Sequence, residues 1–151
     1  MMNQLLIDPI IRNALEEDYS WGDVTSETLI SPETSSDLEF ILKQEGVIAG
    51  LFVAERVFKM VDSAIIWQNL VSDGDKLESG SVIAKVSGKS VNLLIAERVA
   101  LNYLQRMSGI ASLTRQFVDE IEKVSSRTVL LDTRKTTPGL RLFEKYAVKM
   151  G

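Results

Sequence analysis

The sequence predicts a mixed α+β / α/β fold on three observations. Leu38, Phe40 and Leu42 alternate with Asp37, Glu39, Ile41 and Lys43, the two-residue period of a strand with one buried face. Val53, Val57 and Val61 recur at helical spacing, with Ala54 and Phe58 widening their stripe. Thr128, Val129, Leu130 and Leu131 form a β-branched and apolar run, read as a buried strand; it ends in a polar loop before a new helical pattern opens at Leu140.

Each element follows from its residues. Asp8 and Pro9 are a favoured cap and first-turn proline, so a short first helix is predicted with Ile10, Ile11, Ala14 and Leu15 on its apolar face. Residues 18–33 are rich in Ser, Thr, Asp, Gly and Pro and read as an ordered loop, with a strand at Thr28, Leu29 and Ile30 and Trp21 as a packing anchor. Val47, Ile48 and Ala49 are expected to pair with the strand that begins at Ser36, after which Gly50 opens the valine-striped helix and leaves Glu55, Arg56 and Lys59 to solvent. Ile65, Ile66 and Trp67 read as a further strand.

The string Asp73-Gly74-Asp75-Lys76-Leu77-Glu78-Ser79-Gly80-Ser81-Val82-Ile83-Ala84 reads as two turns around a short extended piece, leading into an apolar strand. It resembles the hairpin of biotinyl and lipoyl carrier domains, but no lysine with their flanking Met or Asp-Ala pattern is present, and Lys76, Lys85 and Lys89 read as surface charges. Ser90 is placed to cap a helix running to about Met107, buried through Leu93, Ala96, Ala100, Leu104 and Met107. Arg98, Asn102 and Gln105 form one polar stripe on it. A cation on a helix this apolar needs a partner, and Glu97 or Glu55 would supply an internal ion pair. Ser108 and Gly109 are predicted to separate this helix from a second, carrying Ile110, Leu113, Phe117, Ile121 and Val124 at helical spacing. A last helix should present Leu140, Phe143, Ala147 and Met150 on one side.

Composition excludes several classes of chemistry. The 151 residues contain no cysteine and no histidine, which removes thiolate nucleophiles, disulfides, the commonest transition-metal ligands and the usual neutral-pH acid/base. Carboxylates, Lys, Arg and hydroxyls are what remain. The formal charge of −4 supplies no surface-wide positive field for nucleic acid or anionic membrane. No stretch approaches the roughly 20 apolar residues of a membrane span, and Met1-Met2-Asn3-Gln4-Leu5 has no signal-peptide pattern, so a cytoplasmic protein is expected. A small anion needs only local cations, which Arg98, Arg106, Arg134, Lys135 and Arg141 could provide.

The loop after the predicted strand at 128–131 concentrates such chemistry. In α/β folds ligands gather where loops leave the carboxyl ends of strands, and here stand Thr133, Arg134, Lys135 and Thr136. Arg134 offers a planar fork matching a carboxylate, Lys135 a compact charge suited to phosphate, and the threonines neutral donors. The string Asp132-Thr133-Arg134-Lys135-Thr136-Thr137-Pro138-Gly139-Leu140-Arg141 resembles the signature of the quinolinate phosphoribosyltransferase family. Two further stretches agree: Ala96-Glu97-Arg98-Val99-Ala100-Leu101-Asn102 with Ser108-Gly109-Ile110-Ala111, and Glu17-Asp18 followed by Gly22-Asp23-Val24-Thr25-Ser26.

The resemblance implies an N-terminal α/β sandwich domain over residues 1–109 and the first elements of an incomplete α/β barrel over 110–151. It implies an enzyme that joins quinolinate to phosphoribosyl pyrophosphate, giving nicotinate mononucleotide, CO2 and pyrophosphate in NAD biosynthesis. By the same resemblance Arg98, Thr133, Arg134 and Lys135 bind substrate, Lys135 is catalytic, and Arg98 serves the neighbouring subunit's site in a homodimer. Mg2+ is the implied cofactor, with ligands expected beyond residue 151, so residues 1–151 are expected to be inactive by themselves. Related nicotinate-type phosphoribosyltransferases, a molybdenum-associated homologue, and a non-catalytic dimerisation or binding fragment are the alternatives.

Overall fold

A computed structural model describes residues 3–19, 22 and 28–151, among which five short strands and four helices with full ranges surround one core. The helices are α1 (Gln4–Tyr19), α2 (Leu51–Val61), α3 (Ser90–Val124) and α4 (Arg141–Met150). The strands are β1 (Ser35–Ile41), β2 (Gly46–Val47), β3 (Ile66–Asn69), β4 (Lys76–Leu77) and β5 (Val82–Lys89). The mixed α/β class is as the sequence predicts.

The predicted alternation in β1 holds, with Phe40 buried and Leu38 half-buried against exposed Asp37 and Glu39. Its partner differs from expectation. β1 pairs antiparallel with β5, from Ser35 opposite Lys89 to Ile41 opposite Val82, and β3 lies on the other edge of β5. Val47 instead joins a separate two-stranded ladder with β4. Behind the larger sheet, Phe40, Phe58 and Trp67 form a triangle with ring centroids 5.3 to 5.9 Å apart, which locks β1 and β3 onto α2.

Helix α1 begins four residues before Asp8. Asn3 caps it by accepting the Leu5 amide at 3.0 Å, and Pro9 lies inside the helix. Asp8 has a different partner: its carboxylate takes two hydrogen bonds from Arg56 of α2, at 2.8 and 2.7 Å. Arg56 is therefore paired and only half-exposed. Its hydrogen bond, opposed by partial burial and reinforced by the charges of Arg56 and Arg12, holds the Asp8 carboxyl below the ordinary carboxylate value. A carboxyl lowered on folding contributes stability above its unfolded value, and that contribution is lost as pH falls through the lower folded value. In the full-length protein Asp8→Asn should accordingly cost stability at pH 6, and the gap to wild type should narrow from about pH 5 downward. Urea midpoints at stepped pH values measure it; a gap independent of pH would show that the pair does not stabilise α1.

Thr28 and Leu29 lie in a helical turn where a strand was expected. Trp21, together with Asp23, Val24, Thr25 and Ser26 of the N-terminal signature, lies outside the described residues. α2 starts at Gly50, whose φ of 103° and whose place 2.7 Å from Met107 Sδ, measured from where a Cβ would stand, both require glycine. The first amides of α2 are capped from a distance: Asp73 Oδ1 accepts from Gly50 and Leu51, each at 3.0 Å.

The second half of the chain departs further from its sequence pattern. β5 runs straight into α3 without a loop, and the Ser90 hydroxyl meets Ser36 Oγ at 2.7 Å instead of capping the helix. α3 then continues for 35 residues through the predicted break at Ser108 and Gly109. Ser108 Oγ accepts the Ala49 amide at 3.1 Å, and Ser112 Oγ the Val47 amide at 2.8 Å. These serines therefore fasten residues 47–49 to the helix. The stripe of Leu113 and Phe117 is exposed, Phe117 to 54%, because no described residue covers that face. Residues 128–131 form no strand: Val129 and Leu131 are 76% and 81% exposed. A strand exists only against a ladder partner, and none is present among the described residues. No described helix is long and apolar enough to cross a membrane.

Candidate functional site: a cationic loop fastened between two helices

Helix α4 holds the loop of residues 132–137. It forms as the sequence predicts, burying Phe143 and Ala147 against α3, where Phe143 meets Tyr103 edge-on at 5.1 Å. Tyr146 adds an anchor by donating to Asp73 Oδ2 at 2.7 Å, so the residue that caps α2 also holds α4. Burial and that hydrogen bond both push the Tyr146 hydroxyl far above the ordinary tyrosine value, so it stays protonated and donating.

The polar side of α4 then meets the loop at several points. Lys145 donates to Asp132 at 2.6 Å. Arg141 donates from Nε to Thr136 Oγ1 at 3.0 Å and from Nη2 to the Arg134 carbonyl at 3.3 Å. Glu144 Oε2 accepts the Thr137 amide at 3.1 Å, while Oε1 accepts from Arg106 of α3, whose Nη2 also donates to the Thr137 hydroxyl. Burial would raise the Glu144 carboxyl, but the hydrogen bonds from Arg106 and Thr137 and the Arg106 charge outweigh it and hold it below the usual glutamate value.

The five candidate anion-binding cations thus differ in their partners. Arg106 and Arg141 are committed to holding the loop. Arg98 is exposed near the start of α3 and pairs with Asp18 at 3.2 Å, so neither Glu97 nor Glu55 is its partner and its helix face is not buried. The side chains of Arg134 and Lys135 have no hydrogen-bond or ion-pair partner among the described residues, and both are exposed. Thr133 Oγ1 accepts the Lys135 amide at 3.1 Å, which fixes the turn and leaves its hydroxyl proton to donate elsewhere. The structure thus groups Thr133, Arg134 and Lys135. It makes no bond from Arg98 to them within one chain; Arg98 lies eight residues, or about 12 Å along the helix, before Arg106.

Two adjacent free cations and a hydroxyl on a fastened loop can grip a dianion with little reorganisation. A divalent cation finds no such provision. Asp132 and Glu144, the carboxylates nearest the loop, are engaged by Lys145 and Arg106, and no cluster of three acidic groups that could hold Mg2+ occurs among the described residues. The residues described here do not by themselves fit that ion. A groove of about 570 Å³ lies elsewhere, between Leu42 and Val47 on one side and Leu101, Leu104 and Leu113 on the other, and contains none of the predicted site residues.

Glu144 and Asp73 escaped sequence reading. Glu144 offered one local signal, an acid in the first turn of a helix, which reads as an ordinary dipole partner. Asp73 offered none, since its partners lie 22, 23 and 73 residues away.

Fold and site together define an α/β protein that presents a cation-bearing loop pinned between two helices. The chain belongs to the quinolinate phosphoribosyltransferase family: residues 23–108 match the N-terminal domain of quinolinate phosphoribosyl transferase, and 110–151 match its C-terminal domain. It is 44% identical over 143 residues to a quinolinate phosphoribosyltransferase [decarboxylating] of Nicotiana tabacum, covering 94% of this chain and 40% of that protein. It is 40% identical over 152 residues to a probable nicotinate-nucleotide pyrophosphorylase [carboxylating] of Bacillus subtilis, covering 99% of this chain and 51% of the relative. The crystal structure of NadC from Streptococcus pyogenes superimposes with a TM-score of 0.96 at 40% identity, over all of this chain and 53% of that one. The chain thus spans about half the length of the relatives it matches.

Proposed function

We propose that the full-length protein transfers the phosphoribosyl group of phosphoribosyl pyrophosphate to quinolinate with loss of CO2, giving nicotinate mononucleotide and pyrophosphate for NAD biosynthesis. The observation that carries this reading is that the side chains of Arg134 and Lys135 have no partner among the described residues, while Arg106, Arg141 and Lys145 beside them are engaged. Quinolinate is a dicarboxylate. Arg134 holds one carboxylate through its planar fork, with the Thr133 hydroxyl donating beside it, and Lys135 is the catalytic cation that neutralises charge on the phosphoribosyl substrate as pyrophosphate leaves.

Arg98 supplies the second grip, across a homodimer interface, to the neighbouring subunit's site. Residues 1–109 act as the small domain and 110–151 as the start of the barrel. Mg2+ would be the cofactor on this reading, with ligands from outside residues 1–151, and these residues alone are expected to form no product. The reaction is placed in the cytoplasm, with no nucleic acid or membrane as partner.

The test is Arg134→Lys in the full-length enzyme, which keeps the charge and removes the fork. Losing one charge-assisted hydrogen bond costs about 1.5–3 kcal/mol, so calorimetry should show quinolinate bound about ten-fold to a hundred-fold more weakly. Unchanged affinity would remove Arg134 from the carboxylate site.

A further inference from the structure

Glu144 stands where α3, α4 and the cationic loop meet, and each of its carboxylate oxygens has a separate task. Oε2 receives the Thr137 amide at 3.1 Å; Oε1 receives Arg106 Nε at 3.1 Å and is also reached by Arg106 Nη2. Arg106 closes the triangle on the Thr137 hydroxyl. The Glu144 side chain is only 12% exposed. Both helical members are mounted rigidly, Arg106 beside fully buried Met107 and Glu144 beside fully buried Phe143. The loop has no such burial of its own: Thr133, Arg134 and Lys135 are all exposed and none belongs to a helix or strand. Its geometry is therefore borrowed from the helices, and Thr137, two residues from Lys135 and three from Arg134, is where α3 and α4 both take hold of it.

We propose that Glu144 is a positioning residue, which through Thr137 and Arg106 sets the placement of Thr133, Arg134 and Lys135 for their substrates. The proposal rests on the reading of Arg134 and Lys135 as substrate-binding. An acid that served only the α4 dipole would need neither Thr137 nor Arg106, and its removal would affect stability alone.

Steady-state kinetics and thermal midpoints of the full-length enzyme separate these possibilities. Glu144→Ala is expected to raise KM for both quinolinate and phosphoribosyl pyrophosphate about ten-fold to a hundred-fold at a temperature well below its midpoint, as displacement of binding groups by about 1 Å does. Glu144→Gln keeps an acceptor for the Thr137 amide and should show a smaller rise; it carries the same comparison should the alanine variant not fold. Arg106→Ala combined with Glu144→Ala should be no worse than Glu144→Ala alone, since both remove one triangle. Phe58→Leu, in the core behind the sheet, is the control for lost stability and should leave both KM values unchanged.

The inference is overturned if Glu144→Ala and Glu144→Gln lower the midpoint but leave both KM values within about two-fold, or if Phe58→Leu raises them equally. In either case, raised KM values in Arg134→Lys and Lys135→Ala would leave the reading of the site standing. Should those two variants also bind normally, the site itself is misassigned.

Discussion

Full-length Arg98→Ala and Lys135→Ala subunits, each nearly inactive as homodimers, are expected to regain activity when mixed, toward about half the wild-type value per heterodimer. The expectation rests on the proposed role of Arg98 in the neighbouring subunit's site, and within one chain the two residues stand apart. Arg98 lies near the start of α3, exposed and held by Asp18, while Lys135 lies on the loop fastened to the far half of that helix's buried stretch and to α4. No hydrogen bond or ion pair joins Arg98 to residues 133–135 within one chain. If Arg98 serves the partner's site across a two-fold interface, a heterodimer has one site with both lesions and one with neither, so one intact site returns. If Arg98 serves its own chain, every heterodimer site keeps one lesion and mixing restores nothing. Co-purification through a tag on one subunit establishes exchange; with exchange established and no activity recovered, the shared-site role of Arg98 is wrong.

Phe143→Ala should be the most destabilising single change near the site. Phe143 packs edge-on against Tyr103 and is the largest fully buried side chain of α4. Removing a buried phenylalanine costs about 3–5 kcal/mol, from lost transfer energy and the cavity left behind. α4 carries Arg141, Glu144 and Lys145, each bonded to the loop, so the cavity loosens the site as well as the core. Denaturant unfolding of the full-length protein measures the loss. Hydrogen exchange at the Thr136 and Thr137 amides should speed up in the same variant. A loss below about 1 kcal/mol would mean that α4 is not held by this side chain.

Much of this was legible in the residues. The two-residue period of β1, the valine stripe of α2 and the apolar side of α4 each place enough hydrophobic surface on one face to determine the element without reference to the rest of the chain. The family signature at 132–141 likewise identified the loop, because its residue types and order are themselves the signal. Local pattern misleads where a residue's partner is far away in the chain. Ser108 and Gly109 look like a helix break, yet the Ser108 hydroxyl is taken by Ala49, and Met107 and Ala111, both fully buried, hold the helix through the glycine against its cost of about 1 kcal/mol. The run at 128–131 has the residue pattern of a buried strand, but no strand lies beside it among the described residues.

The sequence by itself determined the class of fold, the family, and which residues carry charge at the loop. Only the tertiary structure decided which of those charges are free. Arg106, Arg134, Lys135 and Arg141 are indistinguishable as a list of cations, and none of their local patterns says which will be spent on structure. Glu144 and Thr137 take Arg106, and Thr136 with the Arg134 carbonyl takes Arg141. Such pairings depend on distances across the packed helices α3 and α4, and hydrogen bonds act only over about 3 Å, so a cation's role is fixed by what folding brings beside it.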